Sequence, residues 1–574
     1  MTGVLHRRRR LLVAIAVVGV AWLAASAWLV LSARAEMVAA ADELRAVRRE
    51  ASVATLVEAD RIGELAEAEG RFRRASDRLG SPLLAPWRVA PVAGRHLGAA
   101  RDLAQAGEEG SAAAAVAVEE LQALTDRPRG AGPERIETLT DLATVADDTG
   151  AALGDLDLPS GDSLVGPLAD AVVELAEQRD DAVDAADRLS GTATALADLL
   201  SGPEPYLLLG ANNAEMRVGS GMYLSAAELG FVDGDLELGD VVATADLVLP
   251  EGAVDVEGDL AENWAWLDVG RDLRSLGLSP DLPANAEVAV ETWAAGPAAS
   301  GAELGGVVVV DVDALRGLLR VVGPVEVDGV RYDADNVRGE LLREQYRRFA
   351  GEREARKDQL GEVARAVFDR LDAGDWALED LATELVELAA GRHVMVWSAD
   401  PEVQETWTGS GVGGALDPAS TSIGLANRSG SKLDSWVETA ADITVDGRDI
   451  EIRYEIRNTA PDTGSRQLVG PIAEGLDAGD HRALVVANLP AGTTDVTIEG
   501  AELVLQGGDG PTVVVAGDVT LASGESGVVT VRGTLPEGLD HLRLEPSARI
   551  PRTEWSMDGT PLDRDRRQTI DLTQ

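Results

Sequence analysis

Side chains capable of chemistry concentrate in three short segments of this sequence. The first segment holds Asn212, Asn213, Glu215 and Arg217, directly after the apolar run Tyr206–Gly210 that predicts a buried strand. Strand ends are common ligand-binding positions in α/β sheets, so this segment is a candidate site for a polar ligand. The alternative is that these side chains make hydrogen bonds within a local turn.

The second segment, residues 338–357, is a basic island in a chain whose net charge is −48. Arg353, Arg356 and Lys357 extend the apolar stripe of a predicted helix that ends at Leu371. These cations would lie at the positive end of the helix dipole, where they are unfavourable unless an anion is near. A diphosphate would remove this conflict, because arginine makes bidentate contacts with phosphate. The alternative is a solvated face whose bases pair with nearby glutamates.

The third segment is a polar loop, residues 426–434, that contains Lys432. The chain has only two lysines, Lys357 and Lys432, and each lies beside a polar cluster. Lys432 is therefore a further candidate for contact with an anion.

Several classes of function are excluded or disfavoured by composition. The chain has no cysteine, so it forms no disulfide, iron–sulfur or thiolate zinc site. Its acidity disfavours binding to nucleic acid, because like charges repel. Gly409–Gly414 fits a dinucleotide-binding glycine pattern, but no strand is predicted before it. The five histidines are scattered without metal-ligand spacing: His6, His96, His393, His481 and His541.

The elements that would position these residues begin with a membrane segment. Four arginines, Arg7–Arg10, precede the uncharged run Leu11–Leu31, which has about the 20 residues that a helix needs to cross a bilayer. The basic side is predicted to stay in the cytoplasm, so the bulk of the protein would lie outside the cell membrane. The alternative is a cleaved signal peptide, since Ala33-Arg34-Ala35 resembles a cleavage site.

The remaining chain predicts a multidomain α+β protein. After the cytoplasmic tail (1–10) and transmembrane helix (11–31), residues 32–200 show helical spacing and predict an extracytoplasmic bundle or stalk. Residues 201–440 alternate strand and helix patterns, which indicates an α/β domain. Residues 441–574 alternate polar and apolar side chains between turns, as in an antiparallel β-sandwich.

Residues of the central region resemble the bacterial membrane family catalogued as domain of unknown function 4012, a family with no established activity. The resemblance covers about residues 200–440, and the N-terminal anchor and helical region are in the style of the family. The matching pieces are Leu207-Leu208-Leu209, Asn212–Arg217, Gly219-Ser220-Gly221, Gly306–Asp311, Gly323-Pro324-Val325, Asn336-Val337, Arg356–Gln359 and Ala426–Asp434.

The order of these pieces is also similar to that of the LytR-CpsA-Psr phosphotransferases, which attach polymers from a polyprenyl-diphosphate carrier to the cell wall. In this likeness Arg217 stands for the early arginine of that family. Arg353, Arg356, Lys357 and Gln359 stand for its late arginine-rich cluster. The acidic pattern around Glu215 and the sequence Gly323-Pro324-Val325 depart from the family, so the likeness implies a related fold more than a shared reaction.

Together these features predict a cell-envelope protein whose exported α/β domain binds a polyprenyl- or sugar-linked diphosphate and takes part in glycopolymer attachment to the cell wall. Glu215 or Asp311 would act as base or hold Mg²⁺, the only cofactor that this chemistry suggests. The diphosphate would be bound by Asn213, Arg217, Arg353, Arg356, Lys357, Gln359 and Lys432. The expected partners are the lipid bilayer and a polyprenyl-diphosphate-linked glycan. The alternative is a non-enzymatic envelope scaffold in which the basic island is structural.

Overall fold

The computed structural model describes most of the chain as two compact units. The described residues are 2–50, 59–127, 132–161, 164, 166–349, 353–374 and 376–572. Within these ranges, the side chains of residues 2–9, 50, 59, 60, 353–360 and 379 lie outside the description. The first unit comprises Met1–Pro128 and Glu137–Thr194, and the second comprises Arg129–Ile136 and Ala195–Gln574.

Helices account for the elements before residue 202. They are α1 (Thr2–Glu50), α2 (Ala59–Leu79), a 3₁₀ turn (Pro82–Leu84), α3 (Ala85–Arg88), α4 (Pro91–Thr125), α5 (Gly132–Gly154) and α6 (Pro167–Ser201). Their contacts in the first unit use small residues, as the low aromatic content predicts: Ala33, Ala75, Leu79 and Ala104 form one core cluster. Alanine at such positions allows helix backbones to approach closely and keeps helix propensity high.

Helix α1 begins with a stretch that no other element covers. Residues 11–18 and 20 are exposed, whereas Ser26, Ala33 and Ala40 are buried. Among the described residues α1 is the one helix long and apolar enough to cross a membrane by length and composition. The predicted apolar N-terminal helix is therefore confirmed, and the same helix continues past Leu31 to Glu50.

The second unit begins with a mixed sheet whose strand order is β3-β2-β1-β5-β8, with β4 beside β2. Its strands are β1 (Tyr206–Met216), β2 (Gly221–Val232), β3 (Asp235–Leu238), β4 (Val242–Ala243), β5 (Gly306–Val310) and β8 (Val394–Ser398). A separate hairpin joins β6 (Val325–Val327) and β7 (Val330–Tyr332). Strands β1 and β5 pair in parallel, which brings their carboxyl ends to the same edge of the sheet.

The helices around this sheet follow the predicted alternation of strands and helices. They are α7 (Gly258–Trp264), α8 (Leu282–Ala294), α9 (Val312–Val322), α10 (Val337–Gly339), a π turn (Glu340–Glu344), α11 (Gln345–Arg348), α12 (Arg353–Asp372), α13 (Leu378–Ala390) and α14 (Pro401–Ser410). Short 3₁₀ turns lie at Thr244–Asp246, Ala265–Leu267, Leu273–Ser275 and Asp434–Trp436. Helix α9 begins where Asp311 accepts hydrogen bonds from two backbone amides, and it ends at Gly323, whose φ of 79° disfavours other residues.

Strand β1 is longer than the apolar run predicts. Asn212, Asn213 and Glu215 lie within the strand, not after it, and their side chains are buried. The pairing with β2 shifts register between Gly210 and Ala211 and again between Asn212 and Met216. Polar side chains are tolerated inside this strand because distant residues supply their hydrogen-bond partners.

Two further six-stranded sheets dominate the C-terminal part, in the orders β13-β16-β11-β10-β18-β19 and β14-β15-β12-β9-β17-β20. Their strands are β9 (Ser420–Asn427), β10 (Val437–Asp446), β11 (Asp449–Asn458), β12 (His481–Leu489), β13 (Thr494–Glu499), β14 (Glu502–Asp509), β15 (Thr512–Leu521), β16 (Ser526–Thr534), β17 (His541–Leu544), β18 (Glu554–Met557), β19 (Thr560–Pro561) and β20 (Gln568–Asp571). A short helix, α15 (Arg466–Val469), lies between β11 and β12. Strand β11 alternates exposed and buried residues, as its sequence predicts.

Both of these sheets contribute to one apolar core. Ile423 and Val485 come from one sheet, and Ile452 and Val529 come from the other. The chain is therefore a mixed α+β protein with an apolar N-terminal helix and strand-rich C-terminal sheets. The predicted domain boundary at residue 440 stays a prediction. Residues 195–574 cluster as one unit, and β9, which precedes that boundary, pairs with β12, which follows it.

Candidate functional site

A buried polar chain starts where β5 ends beside β1. Asn213 donates through Nδ2 to Asp311 Oδ2 at 2.8 Å and to the carbonyl of Ala548 at 2.8 Å. The structure thus brings together two residues that the sequence singled out separately. The parallel pairing of the two strands explains this, because it places both positions at one sheet edge.

Asp311 is fully engaged at the start of α9. Its Oδ1 accepts from the backbone amides of Asp313 at 2.8 Å and Ala314 at 3.0 Å. Its Oδ2 lies 2.7 Å from Nδ1 of His393, which donates to the carboxylate. Asp311 therefore caps a helix and fixes the orientation of a buried imidazole.

His393 lies between two carboxylates, since its Nε2 is 3.6 Å from Oδ2 of Asp313. Burial lowers the pKa of His393, but the charges of Asp311 and Asp313 outweigh burial and raise that pKa above its ordinary value. For Asp313 the effects have the opposite sign. Burial raises the pKa of its carboxyl, but hydrogen bonds from Arg338 and the charge of His393 outweigh burial and lower the pKa overall. The arrangement favours a protonated His393.

Asp313 also lines a cavity of about 610 Å³ that opens to solvent. Five arginines face three acids there, so the lining carries excess positive charge although the whole chain is strongly acidic. The lining residues are Asp313, Arg316, Arg320, Arg338, Thr383, Glu384, Glu387, Leu388, Arg552 and Arg564. We call this feature the arginine cavity.

Three of the five arginines have close acidic partners. Arg338 makes a bidentate contact with Asp313. Arg320 lies 2.6 Å from Glu384, and Arg564 lies 2.9 Å from Glu387. All three acids of the lining are therefore paired with arginine, and the remaining two arginines are the excess cations.

Arg316 and Arg552 are those two cations. Within the described part of the chain no acid lies at ion-pair distance from Arg316, which donates to the carbonyl of Ala334 at 2.9 Å. Partial burial and then the neighbouring charges of Arg338 and Arg320 lower the pKa of Arg316. The guanidinium of Arg552 lies 4.0 Å from Oδ2 of Asp313, at the limit of ion-pair distance. Crowded cations of this kind are stabilised when an anion enters the cavity.

The predicted catalytic Glu215 and the predicted ligand-binding Lys432 contact each other. Their side chains form an ion pair, and the Lys432 ammonium also lies 5.2 Å from the centre of the Tyr346 ring. Burial lowers the pKa of Lys432, but the charge of Glu215 outweighs burial and raises the pKa overall. The pair is nearly enclosed and is not part of the lining of the arginine cavity.

Arg217, the third candidate of the first segment, is enclosed by backbone. It donates to the carbonyls of Met216 and Asn427 at 3.1 Å and of Arg274 at 3.2 Å. Burial lowers its pKa to about 10. Carbonyl groups thus satisfy the guanidinium, which ties the end of β1 to the end of β9 and to the 3₁₀ turn that contains Arg274.

A second buried acid–histidine pair lies at the end of β1. Asp434 accepts from Asn427 Nδ2 at 2.5 Å and from the amide of Met216 at 3.1 Å. It also lies 3.2 Å from His481 Nε2 and 3.5 Å from Arg549. Burial raises the pKa of Asp434, but these cations outweigh burial and lower the pKa to about 2.

The carboxylates of Glu215 and Asp311 do not fit a magnesium site. Lys432 neutralises Glu215, and both oxygens of Asp311 already accept hydrogen bonds. The residues that the structure describes contain no cluster of three or more His, Asp or Glu that could hold a metal ion. These two carboxylates are therefore not placed to bind Mg²⁺.

For the predicted late arginine-rich cluster, the structure describes the backbone but not the side chains. The backbone of Arg353, Arg356, Lys357 and Gln359 belongs to α12, but their side chains lie outside the described residues. The part of the basic island before residue 350 shows the alternative arrangement. Arg347 pairs with Glu344, Arg348 pairs with Glu340, and Arg343 lies over the ring of Trp436.

Sequence reasoning missed most of the arginine cavity. A local signal existed for Asp313, Arg316 and Arg320, whose spacing of three and four places them on one face of α9. His393 lies 82 residues from Asp311, and Arg552 and Arg564 come from the C-terminal segment. Only the tertiary fold brings these residues together.

Comparison with known proteins supports one part of the predicted resemblance. Residues 201–346 match the model of a family described as "Protein of unknown function (DUF4012)". The matched region includes Asn213, Asp311, Asp313, Arg316 and Arg338, and it ends before His393. No curated protein and no solved structure matches the chain.

Proposed function

We propose that this chain, whose residues 201–346 match that family of unknown function, is a single-pass cell-envelope protein that binds a polyprenyl- or sugar-linked diphosphate in its arginine cavity. Binding would serve the attachment of glycopolymers to the cell wall. The observation that carries the proposal is a cavity with five arginines and three acids in a chain of net charge −48. Such a local reversal of charge selects anions.

Membrane anchoring by α1 is supported by its exposed apolar stretch after Arg10. The basic side of the helix would remain in the cytoplasm, because arginine-rich flanks are retained there. The second unit would then lie outside the cell membrane, where envelope polymers are assembled.

The choice of a diphosphate follows from the chemistry of the lining. Guanidinium groups present planar pairs of donors that match phosphate oxygens, and two of the five lack a close acidic partner. A cavity of about 610 Å³ also has the size of an ordinary small-ligand site. The paired arginines would orient the anion, and Arg316 and Arg552 would neutralise it.

The likeness to the LytR-CpsA-Psr phosphotransferases rests on the order of the matching sequence pieces. We propose an α/β region like theirs, followed by a β-sandwich built from the two C-terminal sheets that share one core. In this arrangement His393, held by Asp311 and Asp313, would keep a positive charge one carboxylate away from the bound anion. The positive charge would add to that of the arginines.

The test compares two double variants of the detergent-solubilised full chain. Arg316→Ala with Arg552→Ala removes the two excess cations of the cavity. Arg453→Ala with Arg457→Ala removes the same charge from exposed positions on β11. Isothermal titration with farnesyl diphosphate should show at least a tenfold weaker Kd for the cavity variant, about 1.4 kcal/mol or more, and no change for the control. Equal affinity in all three proteins would refute the proposal.

The second candidate is a non-enzymatic envelope scaffold. It is favoured by the ion pair between Glu215 and Lys432, which encloses two of the predicted functional groups. Complementation separates the candidates. In cells that depend on this protein, a cavity variant made at normal level should fail if ligand binding matters, and it should restore the envelope fully if the protein acts only as a scaffold.

A further inference from the structure

The connection between α2 and α4 forms an apolar turn beside the N-terminal half of α1. We call residues 82–92 the apolar tip; they comprise the 3₁₀ turn, α3 and the start of α4. Arg88 is their single charged residue. Leu83, Val89 and Val92 are 48%, 84% and 68% exposed, although each is strongly apolar. Exposed aliphatic side chains grouped in this way indicate a surface that another apolar phase covers.

The apolar tip is fixed to α1 at Trp22. The indole Nε1 of Trp22 donates to the carbonyl of Leu83 at 2.9 Å. The rings of Trp22 and Trp87 are stacked with centroids 5.3 Å apart and planes 9° apart. This contact sets the position of the apolar tip along the helix.

That position lies well inside the proposed membrane span. Trp22 precedes Leu31 by nine residues, which is about 13 Å along an α-helix. A hydrocarbon core about 30 Å thick needs roughly 20 residues, so it would extend from Leu11 to about Leu31. The tip must therefore be sunk below the outer boundary if the span lies in lipid.

The ion pairs between α1 and α2 lie beyond that boundary. Arg78 lies 3.1 Å from Glu36 and donates to the carbonyl of Ser32 at 3.0 Å. This ion pair lies directly after Leu31, and in α4 the first charged residue is the exposed Arg95, three residues after Val92. Near this level α1, α2 and α4 pack through Ala33, Leu79 and Ala104.

The polar groups of the apolar tip are arranged as an apolar solvent requires. Arg88 donates to the carbonyl of Leu79 at 2.6 Å and to that of Ser81 at 3.4 Å. The side chain of Ser81 accepts from the amide of Leu83 at 3.3 Å. Backbone groups that lie within lipid must find partners inside the protein, and these contacts supply such partners.

We infer that the apolar tip inserts into the outer leaflet beside α1, so that Leu83, Val89 and Val92 contact acyl chains. The inference rests on the membrane anchoring proposed above. It gives the protein a second lipid contact, which would fix the direction in which the first unit leaves the membrane. A single helix in lipid would leave the unit free to tilt.

The absence of cysteine makes a clean test possible. Single cysteines are introduced at Leu83, Val89 or Val92, labelled with the polarity-sensitive fluorophore NBD, and the full chain is placed in phosphatidylcholine vesicles. Matched controls are Val116→Cys and Val173→Cys, which are 54% and 53% exposed in the same unit. Val17→Cys, within the proposed span, reports on the anchor itself.

The three tip positions should show blue-shifted emission and at least twofold stronger quenching by 5-doxyl lipids than Val116 or Val173. Val17 should be quenched most strongly by 12-doxyl lipids. If Val17 is quenched but the tip positions match the controls, the inference is wrong and the anchor stands. If Val17 is not quenched, the anchor proposal fails, and quenching at the tip alone would still decide whether the tip meets lipid. A thermal unfolding midpoint equal to that of the natural chain verifies that each variant is correctly folded.

Discussion

Two buried aspartate–histidine pairs in the second unit use the same chemistry in different surroundings. In one, Asp311 lies 2.7 Å from His393, and in the other Asp434 lies 3.2 Å from His481. All four side chains are almost completely inaccessible to solvent. The pairs differ in what lies on the far side of the histidine.

His393 is connected to the arginine cavity through a further residue, whereas His481 is not. The second nitrogen of His393 approaches Asp313, which in turn binds Arg338 at the wall of the arginine cavity. The second nitrogen of His481 has no hydrogen-bond partner among the described atoms. The Asp434 pair is enclosed instead by Asn427 and Arg549.

This difference separates a charge that can respond to a ligand from a charge that holds elements together. A protonated His393 would strengthen anion binding, because its charge lies one carboxylate away from the cavity. The Asp434 cluster joins the end of β1 to β12 and to the segment after β9, and the side chains of Asp434, His481 and Arg549 are fully buried. We therefore expect mutations at the two pairs to act on binding and on stability, respectively.

The largest expected effect is that of Asp434→Ala. The substitution leaves Arg549 and His481 buried without their shared carboxylate, and removal of one partner from a buried ion pair typically costs about 3–5 kcal/mol. Urea denaturation of the solubilised full chain measures the loss. Asp518→Ala, which breaks the half-exposed pair with Arg482, is the control and should cost less than about 1 kcal/mol. Equal losses of unfolding free energy for both variants would show that the enclosed pair has no special structural role.

Acid should destabilise the protein through the same carboxylate. The pKa of Asp434 is lowered from 3.8 to about 2, so its contribution is present above pH 4 and is lost as pH falls from there towards 2. A shift of this size corresponds to roughly 2–3 kcal/mol. The free energy of unfolding should fall less steeply in this range for Asp434→Asn than for the natural chain. Parallel curves for the two proteins would contradict the assignment.

A third buried carboxylate shows what happens without a cation. Asp509 is held by Asn488 at 2.8 Å, and burial raises its pKa to about 6 despite that hydrogen bond. Its charge is therefore unfavourable above pH 6, and Asp509→Asn should stabilise the protein at pH 7.5 by about 1–3 kcal/mol. The gain should disappear at pH 4, where the carboxyl is protonated in the folded state. Destabilisation at both pH values would show that packing and not charge decides this site.

Local sequence patterns were sufficient for much of the fold. The uncharged run from Leu11, the β-branched run from Gly306 and the alternation from Asp449 each match an element whose character depends on its own side chains. Asp311 was singled out as the acid that ends the β-branched run, but it was predicted as a base or magnesium ligand and not as the helix cap that it forms.

The candidate site was less accessible from sequence because its contacts are long-range. Asn213 and Glu215 appeared to follow a strand, since polar residues seldom lie inside one unless distant groups such as Ala548 or Lys432 satisfy them. His393 looked isolated, although the fold places it against Asp311. Neither Arg552 nor any residue near it in sequence carries a pattern that indicates a cavity.

The smallest predicted effect tests the outward-connected pair directly. His393 faces Asp311, Asp313, Asp565 and Arg552, and the first two carboxylates keep its pKa above the ordinary value despite burial.

Because the folded pKa of His393 is raised, its stabilising contribution is complete below about pH 6.5 and is lost as pH rises through the folded pKa. The affinity for farnesyl diphosphate should fall over the same range as the positive charge disappears. His393→Gln keeps a donor for Asp311 but cannot change its charge, so its affinity should depend less on pH than that of the natural chain. His481→Gln is the matched control and should leave the difference between low and high pH unchanged, because its histidine does not reach the cavity. Equal pH profiles for all three proteins would mean that neither pair is coupled to the arginine cavity, and the distinction between them would be one of packing alone.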